Sequence, residues 1–249
     1  MDITSRKNEK AVHLKKLGAS GEYRREHGEF LCDGGKLLLE AIKWGAEIHD
    51  VLFCGEPPEG LPAGARAFSA SRDVIDAVSP LKTPQDVVFS CAIPEEREKD
   101  IPAGSILLEN MQDPQNVGAI LRTANAFSVP AVVTVGACAD PWSPKAVRAS
   151  MGAIFRQKLI QADYGDIEAL KGAGLRIFGA ALGDKSEDIR EVSLENAAVA
   201  VGNEGGGLSE KLISLCDKLV IIPMNTQCES LNAAVAASVI MWEMTMRRS

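Results

Sequence analysis

Apolar and polar positions fall into short blocks along this chain, and the block spacing changes near its middle. In the first part, Val12, Leu14 and Leu17 form a thin apolar set that predicts a helix over residues 5–17, followed by a polar link over 18–29. A short apolar run at 30–32 reads as a strand and is followed by turn residues Asp33, Gly34 and Gly35. Leu38, Leu39, Ala41 and Ile42 stand at helical spacing and predict a helix over 36–44. A strand over 48–54, a helix over 71–78 with Ser71 as its N-cap, and a strand over 87–93 complete a small α/β unit. Residues 94–103 are charged, and Pro94 and Pro102 bracket the central stretch; this predicts a linker between a domain at 1–93 and a second at 104–249.

The second part alternates more regularly. Apolar runs predict strands at 105–108, 131–135, 156–160, 175–180, 197–201 and 218–222, with helices at 116–127, 164–171, 209–215 and 230–247. Short apolar strands separated by helices imply a parallel sheet covered on both faces, an α/β fold. Such a sheet collects its ligand site at the carboxyl ends of its strands. Three polar segments stand at or near such ends: Asn116 to Arg122, Gly202 to Ser209, and Ile222 to Asn232.

Each segment carries residues that a plain turn explains poorly. The glycine-rich loop after 197–201 lets backbone N–H groups approach a ligand closely. A phosphate-binding P-loop would need Lys where Leu208 stands, and a dinucleotide fingerprint would need Gly where Glu204 stands. A carboxylate at Glu204, beside a nest of amides, needs a partner. Asn116 stands at a helix start and can cap it; Ser230 and Asn232 can cap the last helix, with Asn232 placed past the cap and so better explained by function. Ile222 and Leu231 fit any α/β core, and Pro223 marks a strand end. Arg122 lies among Ile120, Leu121 and Ala124, where an arginine faces a carboxylate, a phosphate or an interface.

Composition narrows the chemistry. A net charge of −7 excludes a nonspecific coat for nucleic acid, although residues 1–25 carry a basic set of Arg6, Lys7, Lys10, Lys15, Lys16, Arg24 and Arg25. No apolar stretch reaches the roughly 18 residues a membrane span needs, and the N-terminus lacks the apolar core of a signal peptide; the expected location is cytoplasmic. The six cysteines show no C-x-x-C spacing, so no zinc site and no redox pair is expected. His13, His27 and His49 all precede residue 104, which removes Ser-His-Asp and Cys-His catalysis from the second domain. The helix over 231–246 is apolar nearly all round and must be buried in a core or a subunit interface.

Taken in order, Asn-x-Gly-x-x-x-Arg at 116–122, Gly-x-Glu-Gly-x-Gly-Leu at 202–208, and Ile-Pro-Met at 222–224 with Ser-Leu-Asn at 230–232 resemble the three motifs of the SpoU/TrmH family of RNA ribose 2′-O-methyltransferases. The stretch from Tyr23 to Gly34, with the following Leu-Leu-Leu-Glu-Ala ending at Ala41, resembles the L30e-like substrate-binding domain found in many members, with Cys32-Asp33-Gly34 where Val-Glu-Gly is usual. The resemblance implies a SPOUT fold with a trefoil knot and a homodimer. It implies S-adenosylmethionine (AdoMet) as cofactor, held by Gly202, Ile222, Met224 and Leu231. It places Arg122 at the reacting ribose, with Asn116, Glu204, Ser230 and Asn232 around it, and requires no metal. Structured ribosomal RNA is the favoured substrate and tRNA the alternative. A non-catalytic RNA-binding protein of the same fold and a dehydrogenase-like enzyme are the rival readings; intact motif residues count against the first, the missing G-x-G-x-x-G against the second.

Overall fold

A computed structural model describes residues 2–95, 100–183, 185–225, 227–228 and 230–246, with Met246 described by its backbone alone. The chain divides into two compact units, Met1–Glu95 with Asp140–Arg156, and Glu96–Ala139 with Gln157–Ser249. By compactness, the segment Asp140–Arg156, from within the span expected as the second domain, groups with unit 1.

Unit 1 is a four-stranded sheet in the order β1-β4-β2-β3, with β1 Glu29–Asp33, β2 Ile48–Phe53, β3 Arg66–Ser69 and β4 Val87–Ala92. β4 pairs antiparallel with β1 and β2, while β3 joins β2 in parallel. Helix α1 spans Glu9–Ala19, later than expected, because the Asn8 side chain accepts from Lys10 N and sets the start. The expected polar link holds a second helix, α2 Gly21–His27, capped by Ser20 and closed by Gly28 in the left-handed region at φ 63°. Helices α3 Gly35–Lys43 and α4 Arg72–Val78 follow the expected positions, although the Ser71 side chain makes no capping bond. Leu14, Leu17, Leu31, Leu52, Val74 and Ile75 form the core of this unit.

The basic residues near the N-terminus are not a free arm. Arg6 pairs with Asp73, Lys10 reaches Asp50 at 3.1 Å, and Arg24 is buried. Arg24 donates from Nε and Nη2 to Asp140 Oδ2 at 2.8 and 2.6 Å, and from Nη1 to the Leu17 carbonyl. Asp140 opens the inserted segment, whose helix α5 Pro144–Ser150 is capped by Ser143. Trp142 packs on Phe30 with ring centroids 4.8 Å apart, and Arg156 Nη1 donates to Glu40 Oε2 at 2.6 Å. A buried ion pair, an aromatic contact and a second ion pair thus fasten the segment to unit 1.

Unit 2 is a seven-stranded sheet, with neighbours paired in parallel: β5 Ile106–Glu109, β6 Val132–Val135, β7 Leu159–Ala162, β8 Arg176–Ala180, β9 Ser186–Asp188, β10 Ala197–Val201 and β11 Lys218–Ile221. The order is β7-β6-β5-β10-β8-β11-β9. The helices of this unit are α6 Pro114–Ala126, α7 Tyr164–Gly172, α8 Glu210–Leu215 and α9 Ala233–Met246. Strand β10 is buried at all five positions, as a strand covered on both faces must be. Ile101, within the stretch expected to be linker, is 3% exposed and packs into this core.

Candidate active site

The three motif segments meet in unit 2 through one asparagine. The side chain of Asp113 accepts from Gln115 N at 2.8 Å and Pro114 takes the first helical position, so Asn116 is the third residue of α6 rather than its cap. Freed from capping, its amide bridges the other two segments. Nδ2 donates to Glu204 Oε1 at 2.6 Å, and Oδ1 accepts from Asn232 Nδ2 at 3.2 Å. Asn232 in turn is the cap of α9: its Oδ1 accepts from Ala234 N at 2.9 Å and Val235 N at 3.3 Å. The helix starts at Ala233 rather than 230, so Asn232 does not lie past the cap.

The glycine-rich loop after β10 closes on itself. Asn203 N donates to Gly207 O at 3.0 Å, Gly207 N returns a bond to Asn203 O at 2.9 Å, and Asn203 Oδ1 accepts from Gly205 N at 2.8 Å. The loop folds back so tightly that a Cβ at Gly202 would collide with the backbone of Gly207 and Leu208. Loop closure therefore suffices to require glycine at 202.

The far end of this loop is held by a residue the sequence reading missed. Glu109, at the end of β5, is fully buried. It accepts from Ser209 N at 2.7 Å, Ser209 Oγ at 2.5 Å and Tyr164 Oη at 2.7 Å. Burial, together with the bond to Glu109, raises the Tyr164 hydroxyl above its ordinary pKa. The available signal was a carboxylate closing an otherwise apolar strand, Ile-Leu-Leu-Glu.

A cleft of about 500 Å³ opens at these strand ends. Gly202, Glu204, Ile222, Met224, Ser230 and Leu231 all line it, and Leu182, Ala233 and Ala236 extend its wall beyond the expected set. Among the described residues the lining is loop backbone, small or aliphatic side chains and the Asn203 amide, with the single carboxylate of Glu204. This fits AdoMet: aliphatic walls suit the flat adenine, loop amides and carbonyls suit its edge, and Glu204 is, among the described residues, the one anion facing a cationic ligand. The volume lies within the roughly 300–1,000 Å³ of small-molecule sites.

Arg122 stands apart from this junction. It is exposed on α6 while Ile120, Leu121 and Ala124 are buried. It makes no hydrogen bond or ion pair among the described residues. Asn116, Glu204 and Asn232 are thus joined directly, Ser230 lines the cleft with Glu204, and Arg122 presents an uncommitted guanidinium.

A model of the SpoU rRNA Methylase family matches residues 104–242, and one of the MRM3-like substrate binding domain matches residues 8–88. The chain is 33% identical to the 23S rRNA (guanosine(2553)-2′-O)-methyltransferase of Bacillus subtilis, over 97% of this chain and 98% of that protein. Its fold matches the crystal structure of AdoMet-bound rRNA methyltransferase from Sinorhizobium meliloti with a TM-score of 0.90 at 26% identity, over 99% and 98% of the two chains. It also matches the SpoU methyltransferase AviRb from Streptomyces viridochromogenes, solved in complex with AdoMet, with a TM-score of 0.85 at 25% identity over 97% and 98%. The fold is that of the SPOUT methyltransferases, and the motif residues Gly202, Glu204, Ile222, Met224, Ser230 and Leu231 line a cleft suited to their cofactor. The chain belongs to the SpoU rRNA methylase family, the AdoMet-dependent RNA ribose 2′-O-methyltransferases.

Proposed function

We propose that this chain methylates a ribose 2′-hydroxyl of ribosomal RNA, with the cofactor in the unit 2 cleft and Arg122 engaging the RNA. The observation that carries this reading is the bonded junction of Glu204, Asn116 and Asn232, which gathers three distant segments around one ligand-sized cleft. The Bacillus subtilis relative, nearly coextensive with this chain, acts on 23S rRNA by its name and supports the substrate.

Bound AdoMet supplies a methyl group already activated on a sulfonium. Gly202, Ile222, Met224 and Leu231 hold the cofactor, the first through loop backbone and the others by apolar contact. Glu204, fixed by the Asn116 amide, gives the cleft its negative charge. Arg122 binds the phosphate beside the target ribose and orients the 2′-hydroxyl. A guanidinium held by no protein carboxylate is free to form the forked contacts a phosphate accepts. Asn116, Ser230 and Asn232 hold the ribose edge in place, since in-line transfer depends on orientation.

The working form is a homodimer, with the site near its interface. Val235, Val239 and Trp242 leave an apolar stripe of α9 exposed at i, i+4 and i+7 spacing, beside Ala119 and Thr123 of α6 and Phe127 at its C-terminal end. Burial of α9 on most sides, expected from its composition, is reached on only one face of the single chain, and a second copy covers the stripe. The C-terminal strand–helix passage forms the trefoil knot of the family. Six free cysteines support a reducing, cytoplasmic location.

Incubation with labelled AdoMet and separate pools of unmodified rRNA and tRNA tests the substrate. Label in rRNA alone is expected; label in tRNA alone contradicts the reading.

A further inference from the structure

Unit 1 holds a second cleft, of about 530 Å³. Three stretches remote in sequence build it: residues 31–40, residues 80–85, and residues 144–156 of the inserted segment. Neither family match spans it, because Lys36 lies in the substrate-binding match and Arg148 in the methylase match.

Its lining is of two kinds. One wall is apolar and open to solvent: Leu39 and Met151 are 66% and 57% exposed, far more than folding alone favours for side chains of that size. Leu37, Leu81 and Val147 continue the wall. The other feature is uncommitted positive charge. Lys36 and Arg148 are exposed at the same cleft, and neither makes a hydrogen bond or ion pair among the described residues. In a chain of net charge −7, two unpaired cations beside an apolar wall are a local departure from the surface as a whole.

The cleft's two carboxylates, Asp33 and Glu40, do not neutralise them by contact: Glu40 accepts from Arg156 Nη1 instead. Asp33 accepts a hydrogen bond from the Ser79 hydroxyl, and its Oδ1 is buried without a partner among the described residues. Burial raises this carboxyl above its usual range, against the opposing pull of the Ser79 bond, of the nearby Gln85 backbone N–H and of the Arg148 charge. An unpartnered acceptor at a cleft matches a ligand that brings an N–H donor.

A nucleotide meets all three conditions. Its base offers a flat apolar face and ring or amino N–H groups, and its phosphates take up cations. We propose that this cleft binds an unpaired nucleotide of the RNA substrate, other than the one methylated, with the base against Leu39 and Met151 and the flanking phosphates on Lys36 and Arg148. The proposal rests on the reading of the chain as an RNA methyltransferase and adds a specificity site to it. An RNA presenting an extruded base at the required place is selected, and a fully paired one is not.

The test uses the full chain and an unmodified large-subunit rRNA transcript. Lys36→Glu with Arg148→Glu is compared with wild type for RNA affinity across salt concentrations, RNA KM, kcat and AdoMet Kd. The expected result is RNA binding weakened at least tenfold and KM raised in step. kcat at saturating RNA stays within twofold and AdoMet Kd does not change. The slope of log affinity against log salt falls by about 1.5, the loss of two single-strand phosphate contacts. Leu39→Ala is expected to weaken binding several-fold while leaving that slope unchanged. Lys36→Gln with Arg148→Gln replaces the charge reversal if the latter does not fold. 4-Thiouridine-substituted RNA is expected to crosslink to peptides covering residues 33–40 or 144–156.

Unchanged affinity, slope and KM in the charge variants, with crosslinks elsewhere, overturns the proposal and turns attention to a protein occupant. The two readings fail separately. Wild type that binds rRNA through these residues yet transfers no methyl sinks the enzymatic reading. Variants that bind and methylate like wild type sink only the cleft.

Discussion

The clefts of the two units are nearly equal in volume, about 500 and 530 Å³, yet they are built in opposite ways. The unit 2 cleft sits at the carboxyl ends of parallel strands and is lined, among the described residues, by loop backbone, aliphatic side chains and one carboxylate. The unit 1 cleft lies beside a mixed sheet and draws uncommitted cations and exposed apolar side chains from three remote stretches. A ligand carrying a sulfonium cation suits the first, and a ligand carrying phosphate suits the second. One acidic protein can thus hold a cationic cofactor and a polyanionic substrate by sorting charge between two sites rather than by becoming basic overall.

The sharpest way to break the unit 2 side of this contrast is at Glu109. Replacement by Ala leaves Ser209 N–H, Ser209 Oγ and Tyr164 Oη without their shared acceptor. Burying unsatisfied donors costs about 1–3 kcal/mol each at most, and relaxation reduces the sum. A loss of about 3 kcal/mol in urea unfolding is expected, with AdoMet affinity falling at least tenfold as the loop end is released. Glu109→Gln, which keeps an acceptor oxygen, recovers part of both.

Asn116→Ala comes next. It removes the bond to Glu204 and the one from Asn232, while Asp113 still caps α6. Stability is expected to fall by about 1–2 kcal/mol, with a larger relative loss of kcat/KM than of cofactor binding. Equal losses in the two would show that Asn116 only shapes the cofactor cleft.

Thiol reactivity sharpens the picture of the unit 2 core. Burial pushes the Cys216 thiol up to about 12, against the opposing charge of Lys171, whereas Cys228 is exposed. At pH 8 a maleimide should label Cys228 within minutes and Cys216 only on unfolding, as read by peptide mass spectrometry.

The smallest effect belongs to unit 1, which contains every histidine. His49 donates toward Glu29 at 3.1 Å and Glu47 at 3.2 Å, and His13 contacts Glu29 at 3.3 Å. Burial lowers the His49 pKa, but the bonds to Glu47 and Glu29 outweigh it and leave it raised above 6.5. Its contribution to stability is fully present below pH 6.5 and is lost as pH rises through the folded value. Burial opposes the shift of Glu29 too, yet bonds from Ser90, His49 and His13 leave it lowered, so its contribution is present above 4.5 and lost as pH falls through the folded value. Melting temperature should therefore fall slightly between pH 6.5 and 8, and His49→Gln should flatten that fall.

The same contrast explains what could be read from the sequence. In unit 2 the parallel sheet gathers strand ends by topology, so the meeting of Asn116, Glu204 and Asn232 was legible from the spacing of their segments. What escaped was local: Asn232 as the cap of α9, Asp113 displacing Asn116 from the cap of α6, and Glu109 as the anchor of the glycine-rich loop. These depend on which of two nearby polar residues reaches a helix end, a matter of one turn. In unit 1 the missed features were long-range. Helix α2 hid in a polar stretch because its stability comes from the Ser20 and Gly28 caps and the buried Arg24–Asp140 pair, not from an apolar stripe. That pair spans 116 positions, and with it the inserted segment and its cleft stayed invisible to any reading by spacing.

Alkaline hydrolysis of rRNA labelled by this chain tests the central claim most directly. A 2′-O-methyl group blocks the hydroxyl that attacks the adjacent phosphodiester, so labelled nucleotides must survive in alkali-resistant dinucleotides. Wild type should place its label there, and Arg122→Ala should lose about 100-fold or more of that label while keeping AdoMet affinity within twofold. Label recovered in alkali-labile mononucleotides, or full transfer by Arg122→Ala, would contradict the account.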